Sequence, residues 1–351
     1  MISGEQVTIN LNIIKSAAII TLNRPHRYNA IDLEMASELL SLLNSVVKND
    51  AIKKVILTST HPKAFCAGGD IRIAYEAIKK HDFSYGTTFF EKEYKLIYDL
   101  ANCPKPVISL VNGLCFGGGM GLTMHNRIRI VTENAVLGMP ETIIGFFPDV
   151  GSSYRFSHFP KAWANFYGMT GNNIALKHAL DWNMFDYYVP STFLPELIEN
   201  LCTFENDHQT IAKFSYPVPN QPTYDETMIN NVFEKPLEEI FEALQTDDSS
   251  EAKNILTDLK ARSPLSLMVT YRLLSMSKFL DLKKSLELDR VLSSNFIFNP
   301  DLQEGIRAQL IDKDRKPDWH YKMPSIDDEV VRDFFVPTYS DVERQPTNSN
   351  D

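Results

Sequence analysis

The sequence predicts an α/β fold that continues into a helical C-terminal region, and two patterns carry that prediction. In the first part of the chain, strand-like runs alternate with amphipathic helical stretches, and a strand returns roughly every 40 to 50 residues. Beyond a proline-rich segment, the hydrophobic pattern is helical almost to the end. A chain of 351 residues, 44% hydrophobic and 23% charged, is long enough to bury a full core.

The predicted elements of the core follow one another in a regular order. VTINLNIIKSAAIITLN predicts two short strands joined by a turn. IDLEMASELLSLLNSVVKN predicts an amphipathic helix, and KKVILTST predicts a buried strand. A helix around residues 89–100, a strand at PVISLVNG and a helix that begins at a glycine cluster come next. Strand-strand-helix units therefore recur, although the sequence contains no strict repeat.

The proline-rich segment FSYPVPNQPTYDE marks the predicted boundary between two parts of the chain. We expect an α/β core over residues 1–213, a linker over 214–226 and a helical region over 227–340. Residues 341–351 end in QPTNSND, which is typical of a frayed tail.

Composition and charge exclude several classes of partner. The formal net charge of -10 leaves no basic face for a phosphate backbone, so we expect no nucleic acid partner. No run reaches the roughly 18 apolar residues of a membrane span, so no membrane partner is expected. The start, MISGEQVTINLNIIK, lacks the pattern of a secretory or transit peptide. These observations predict a cytoplasmic protein, or a mitochondrial one if a transit peptide has been removed.

The four cysteines, Cys66, Cys103, Cys115 and Cys202, show neither CxxC spacing nor a neighbouring histidine pattern. The spacing favours neither a disulfide framework nor a zinc site. We expect reduced, mostly buried thiols.

Two carboxylates stand out in the segment MPETIIGFFPDVG, where Glu141 and Asp149 are set among apolar, glycine and proline residues. Burial of a carboxylate costs several kcal/mol unless it is paired, hydrogen-bonded or neutral. Taken without other signals, Glu141 suits the first turn of a helix and Asp149 suits a turn or a cap. The alternative is that both belong to an active site.

Two glycine-rich loops follow predicted strands: KAFCAGGDIR, with Ala67, Gly68 and Gly69, and NGLCFGGGMGL, with its triple glycine. Glycine lets a backbone N–H approach a ligand atom closely, and two such loops from neighbouring strands could direct two N–H groups at one oxygen. Each loop also suits a tight turn or close helix packing. Neither matches a phosphate-binding loop or a dinucleotide fingerprint.

Taken together, LNRPHRYNAI, KAFCAGGDIR, NGLCFGGGMGL and MPETIIGFFPDVG, in this order, resemble the enoyl-CoA hydratase/isomerase (crotonase) superfamily. The distal segment LQEGIRAQLIDKDRKPDW is similar to the C-terminal signature of the 3-hydroxyisobutyryl-CoA hydrolase branch. The resemblance implies a ClpP-like spiral of strand-strand-helix units with a helical C-terminal region.

The resemblance also implies roles for individual residues. The N–H groups of Gly69 and Gly118 would form an oxyanion hole for a thioester carbonyl. Ala67, Gly68 and Asp70, with the RPHRYNAI segment, would line the groove for the pantetheine and coenzyme A. Coenzyme A is then part of the substrate, and we expect no separate cofactor and no metal.

One departure from the family pattern selects the branch. Hydratases of the superfamily carry a second glutamate two residues after the triple glycine, where this chain has Gly121. A glycine cannot act as a general base. The resemblance therefore implies hydrolysis of a short 3-hydroxyacyl-CoA, most simply 3-hydroxyisobutyryl-CoA in valine catabolism.

In that interpretation Glu141 attacks the carbonyl carbon or activates water, while Asp149 positions the substrate hydroxyl or the water. Glu93, in FFEKEYKL, would also contact the substrate. The alternatives are an enoyl-CoA isomerase or hydratase, and a crotonase-like protein without enzyme activity. A homo-oligomer is compatible with the sequence, which does not fix the acyl chain.

Overall fold

The computed structural model describes residues 7–221, 224–322 and 326–337, and these residues form two β-sheets surrounded by helices. A six-stranded sheet has the order β1-β2-β3-β5-β7-β9, and a three-stranded sheet has the order β4-β6-β8. The strands are β1 (Ile9–Ile14), β2 (Ala17–Leu22), β3 (Lys54–Ser59), β4 (Ala64–Cys66), β5 (Val107–Val111), β6 (Leu114–Phe116), β7 (Ile128–Val131), β8 (Val136–Gly138) and β9 (Tyr187–Tyr188).

The chain spirals through both sheets. β1 and β2 form an antiparallel hairpin, and the other paired strands are parallel. After each of β3, β5 and β7 in the large sheet, the chain adds β4, β6 or β8 to the small sheet and then enters a helical segment. The predicted α/β spiral of strand-strand-helix units is thereby confirmed.

Sixteen α-helices lie within the described ranges. They are α1 (Leu33–Lys48), α2 (Ile71–Lys79), α3 (Phe83–Ala101), α4 (Gly118–Met124), α5 (Ser152–Phe156), α6 (Lys161–Thr170), α7 (Leu176–Asp181), α8 (Leu194–Thr203), α9 (Asp207–Ala212), α10 (Glu226–Phe233), α11 (Leu237–Thr246), α12 (Ser250–Ala261), α13 (Pro264–Met276), α14 (Leu282–Phe296), α15 (Pro300–Ile306) and α16 (Asp328–Asp333). Short 3₁₀ turns lie at Pro25–Arg27, Glu141–Ile144, Ser191–Phe193 and Ser277–Phe279, and a π-helical turn at Arg307–Ile311 follows α15. None of the described helices is long and apolar enough to cross a membrane.

Local chemistry explains where the predicted helices begin and break. Asp32 caps α1 by accepting a hydrogen bond from the Met35 N–H at 2.9 Å, and the apolar face of α1 is buried. The helical pattern MINNVFEKPLEEIFEALQ is split between α10 and α11 at Pro236, which has no N–H to donate. The helical pattern PLSLMVTYRLLSMSKFLDLKKSLELDRVLSSNFI likewise divides into α13 and α14, and Asp281 caps α14 by accepting a hydrogen bond from the Lys284 N–H at 2.8 Å.

The C-terminal helices pack against the spiral. Phe166 of α6 and Phe233 of α10 lie in one hydrophobic cluster, with ring centroids 5.2 Å apart. Another cluster joins Phe146 and Phe147 to α13, α14 and α15. Residues 215–221, from the predicted linker, contain no helix or strand, and the predicted tail 341–351 lies outside the described residues.

Helix α15 lies directly against the 3₁₀ turn Glu141–Ile144. Gly145 has a φ of 74°, and a Cβ atom there would lie 2.6 Å from the carbonyl carbon of Asp301. A Cβ atom on Gly305 would lie 2.6 Å from the Cα of Ile144. Glycine at both positions therefore permits a backbone-to-backbone contact between the two elements.

We expect Gly305→Ala to lower the free energy of unfolding by about 1–3 kcal/mol, because the added methyl group overlaps backbone atoms that cannot rotate away. Gln303→Ala, half-buried on the same helix, is the matched control and should change stability little. Chemical denaturation followed by circular dichroism measures both. Equal stabilities for the two variants would show that α15 does not depend on this contact.

Candidate active site

A cavity of about 510 Å³ opens between the glycine loops, helix α3 and the C-terminal helices. Its size lies within the range typical of small-molecule sites. The predicted residues Ala67, Gly68, Gly69, Asp70, Glu93, Gly118, Glu141 and Asp149 all line it. The structure therefore brings the whole predicted set into one place, together with His26, Arg27 and Tyr28 of the RPHRYNAI segment.

The two glycine loops meet at one end of this cavity. They follow β4 and β6, which are parallel neighbours in the small sheet. A Cβ atom placed on Gly118 would lie 3.4 Å from the Gly69 nitrogen, so the two backbones are almost in contact. Gly118 is the first residue of α4, so its N–H has no acceptor within the helix. This geometry suits two N–H donors that converge on one oxygen atom.

The RPHRYNAI segment holds the first loop in place. Ile31 donates its N–H to the Gly68 carbonyl at 2.8 Å and accepts the Asp70 N–H at 2.7 Å. The buried Arg24 guanidinium pairs with the Asp70 carboxylate at 2.8 Å and with Asp32 at 3.0 Å. Asp70 is thus held by an ion pair at the edge of the cavity, and the segment supports the Gly69 loop as well as lining the groove.

Glu141 begins the 3₁₀ turn Glu141–Ile144 and its side chain faces the second loop. A Cβ atom on Gly117 would lie 2.5 Å from Glu141 Oε1, so the carboxyl group packs against that loop. The other oxygen, Oε2, is buried and has no hydrogen-bond partner in the described residues. Burial raises the pKa of Glu141 well above its usual value, and the charge of Asp149 raises it further.

Asp149 follows Pro148 and lies near Glu141, where its charge acts on the Glu141 carboxyl group. The Tyr94 hydroxyl donates a hydrogen bond to Asp149 Oδ2 at 2.7 Å. Burial raises the pKa of Asp149 to about 7, although the Tyr94 bond acts in the opposite direction. Such shifts cluster at functional sites.

Glu93 is the third carboxyl group of the cavity. It is buried on α3, and its Oε1 has no hydrogen-bond partner in the described part of the chain. Burial raises the pKa of Glu93 well above its usual value, and the charge of Asp149 adds to the shift. Burial and mutual repulsion thus act in the same direction on these acidic groups and favour their neutral forms.

The structure explains why position 121 is a glycine. A Cβ atom on Gly121 would lie 2.6 Å from Ile97 Cδ1 and 2.7 Å from Val150 Cβ. Val150 is fully buried beside it. Hydrocarbon therefore fills the space into which a side chain at position 121 would project, and a second acid has no room there.

Two parts of the site were not predicted from the sequence. Tyr94 follows Glu93 directly, but nothing in FFEKEYKL indicates that its hydroxyl reaches Asp149. The apolar roof of the cavity, which includes Ile297, Leu302 and Ile306, comes from the C-terminal region, and the distal segment gave only a family likeness.

A sequence profile for "Enoyl-CoA hydratase/isomerase" matches residues 17–335. The chain belongs to the enoyl-CoA hydratase/isomerase family. Solved structures share the fold seen here: a carnitinyl-CoA dehydratase from Mycobacterium thermoresistibile superposes with a TM-score of 0.89 at 27% identity, covering 96% of this chain and 98% of that one. An enoyl-CoA hydratase from Rhodobacter sphaeroides gives 0.85 at 30% identity, covering 94% and 97%.

Curated proteins with similar sequences are named as hydrolases rather than as hydratases or dehydratases. The "3-hydroxyisobutyryl-CoA hydrolase 1" of Arabidopsis thaliana is 33% identical over 99% of this chain and 97% of its own length. The human "3-hydroxyisobutyryl-CoA hydrolase, mitochondrial" is 34% identical over 86% of this chain and 81% of its own length. The predicted likeness to the hydrolase branch is confirmed.

We expect Gly121→Ala to destabilise the protein by about 1–3 kcal/mol, because the methyl group overlaps Val150 and Ile97. Combining it with Ile97→Val should recover part of the loss, since the Ile97 Cδ1 atom, which lies 2.6 Å from the added carbon, is then absent. Thermal unfolding of the wild type, both single variants and the double variant forms a complete cycle. Strictly additive effects would show that the two side chains do not compete for this space.

Proposed function

We propose that this protein hydrolyses the thioester of a short 3-hydroxyacyl-CoA, most simply 3-hydroxyisobutyryl-CoA, to the free hydroxy acid and coenzyme A. The observation that carries the proposal is the arrangement of Glu141 and Asp149 beside the converging Gly69 and Gly118 loops, with Val150 filling the space beside Gly121. The names of the curated relatives support the same substrate.

The glycine loops would act on the carbonyl group. The N–H groups of Gly69 and Gly118 bind the thioester oxygen and stabilise the negative charge that develops on it in the tetrahedral intermediate. In known enzymes the loss of one such donor costs roughly 2.7–4 kcal/mol of transition-state stabilisation. Because both donors are backbone groups held by the small sheet, little reorganisation is needed during the reaction.

Glu141 would act on the carbonyl carbon. As a nucleophile, its carboxylate forms a C–O bond to that carbon while the C–S bond breaks, and the thiolate of coenzyme A leaves. Water then hydrolyses the mixed anhydride, which regenerates the Glu141 carboxylate and releases the hydroxy acid. As a general base, Glu141 instead takes a proton from water, which attacks the carbon directly. Both routes consume one water molecule and release one thiol.

Asp149 and Glu93 would bind the other end of the acyl group. Asp149, oriented by Tyr94, accepts a hydrogen bond from the substrate hydroxyl or from the hydrolytic water. Glu93, whose raised pKa favours the neutral form, can donate a hydrogen bond as well as accept one. A neutral chain with one hydroxyl group satisfies these groups, whereas a charged terminal carboxylate would be repelled.

The solved relatives carry hydratase and dehydratase names, so this chemistry is the main competitor. Addition of water across a double bond needs both a base and a proton donor, and position 121 holds no acid in this chain. An isomerase needs only one carboxylate at Glu141 and is the outcome that a negative hydrolase assay would favour.

The reaction as proposed needs no reactant besides acyl-CoA and water. Because its product would be 3-hydroxyisobutyrate, we propose valine catabolism as its pathway. The names of the human and chicken relatives include "mitochondrial", which supports the mitochondrial alternative over the cytoplasmic one. Cell fractionation with an antibody against this chain tests the location.

We expect the purified protein to release free thiol from 3-hydroxyisobutyryl-CoA, and Glu141→Gln to lower kcat roughly a hundredfold or more, because the amide is neither a nucleophile nor a base. A thiol reagent follows the reaction over a panel that includes 3-hydroxypropionyl-CoA and crotonyl-CoA. Lys95→Ala, on the exposed face of α3, is the control. Double-bond migration without thiol release would favour the isomerase.

Asp149→Asn should slow turnover while the protein stays folded, because the amide keeps the shape but loses the charge. Steady-state thiol release measures the rate, and circular dichroism checks the fold. Kinetics equal to those of the wild type would remove Asp149 from the site.

The rate should also depend on pH in a defined direction. Ionised carboxylates are needed, and burial raises the pKa of Asp149 to about 7, so kcat/KM should fall as pH drops through that value rather than near pH 4. In Asp149→Asn the residual activity should persist to lower pH, because the charge that raises the Glu141 pKa is gone. If kcat/KM fell over the same acidic pH range in the wild type and in Asp149→Asn, the coupling between Asp149 and Glu141 would be contradicted.

A further inference from the structure

We propose that His125 and Asp289 are positioning residues, which together hold the peptide group between Val150 and Gly151 and thereby fix the turn whose first residue is Asp149. The role in catalysis rests on the proposed function, whereas the geometry of the turn can be tested without it.

The chain turns sharply just after Asp149. The Ser152 N–H donates to the Asp149 carbonyl at 2.9 Å, which closes a four-residue turn. Both central residues lie in the left-handed region, with φ of 53° at Val150 and 74° at Gly151. This is the pattern of a type I′ turn, whose first central position is usually Asn, Asp or Gly. A β-branched valine is strained there, and such strain persists only where the surroundings enforce it.

Packing explains why a valine, Val150, occupies the first central position of this turn. Its side chain fills the space beside Gly121, with its Cβ only 2.7 Å from where a Gly121 Cβ would lie. The residue types that favour a left-handed conformation, such as Asn and Gly, would leave this space empty or place a polar group in it. The turn is therefore disfavoured by its own sequence and needs support from outside.

Two buried side chains supply that support, and both act on the same peptide group. His125 Nε2 donates to the Val150 carbonyl at 2.9 Å, since a carbonyl oxygen can only accept. Asp289 Oδ2 accepts the Gly151 N–H at 2.7 Å. The C=O and N–H of one peptide point in opposite directions, so the two bonds hold the plane from both sides and oppose its rotation.

Neither side chain has another evident task. His125 Nδ1 and Asp289 Oδ1 are buried and have no hydrogen-bond partner in the described residues. Asp289 is 0% exposed, and the Gly151 N–H is its one hydrogen-bond donor in the described ranges. Burial of a carboxyl group with a single partner is costly, so the contact adds little to stability and acts mainly on the turn.

A second hydrogen bond joins α14 to the residues that follow the turn. One helical turn before Asp289, Ser285 Oγ lies 2.6 Å from Ser153 Oγ. This pair joins α14 to α5 but does not touch the peptide between Val150 and Gly151. Ser285→Ala is therefore a matched control for the general effect of weakening the contact between these helices.

The test compares Asp289→Leu and His125→Leu with Asp289→Asn and His125→Gln. The leucine variants should lower kcat for 3-hydroxyisobutyryl-CoA tenfold or more, with KM within about threefold of wild type. Asn and Gln should recover most of the rate, because one amide can accept the Gly151 N–H and the other can donate to the Val150 carbonyl. Ser285→Ala should lower Tm and leave kcat unchanged. Where a leucine variant does not fold, Ser replaces leucine at that position.

Two results would overturn the proposal. One is an unchanged kcat in folded variants that lack the bonds, and the other is equal loss of kcat in the conservative and leucine variants. A crystal structure of Asp289→Leu gives a readout that needs no activity: Val150 should leave the left-handed region or its peptide should rotate. If wild-type protein releases no thiol, the proposed function fails, and this structure still decides whether the turn depends on Asp289.

Discussion

The close approach of two backbone loops is the constraint on which the rest of the structure depends. β4 and β6 are only three residues long, and glycines at their ends allow the chains to meet. A Cβ atom on Gly119 would lie 2.5 Å from the Cys66 carbonyl oxygen, and one on Gly68 would lie 3.2 Å from the Phe116 carbonyl oxygen. Any larger residue would separate the loops that carry Gly69 and Gly118.

The buried acidic groups of the cavity lower the stability of the folded protein. Glu93, Glu141 and Asp149 are all buried, and each has a raised pKa, which means that the folded state disfavours their charged forms. Unpaired buried carboxylates cost several kcal/mol each. The surrounding packing, which includes the aromatic cluster of Phe146, Phe147 and the C-terminal helices, must offset that cost. Sites that need reactive acids commonly carry such local instability.

The sequence was informative where periodicity or spacing carries the signal. β2, β3 and α1 lie where the pattern predicts them, and the missing acid at Gly121 could be identified without a structure. β4, β6 and β8 escaped detection because three residues are too few to show an alternation. The packing of Val150 against Gly121 and the bond from Tyr94 to Asp149 join residues that are distant in sequence, and no local pattern encodes such contacts.

The contact between α15 and the 3₁₀ turn that carries Glu141 has a consequence for how the site is assembled. The floor of the cavity comes from the spiral, and the roof comes from Ile297, just after α14, and from α15 of the same chain. Roof and floor are covalently linked, so their encounter is intramolecular, with an effective concentration set by the connecting segments rather than by the amount of protein. Dilution therefore leaves this closure intact, and each polypeptide folds its own roof over its own acids.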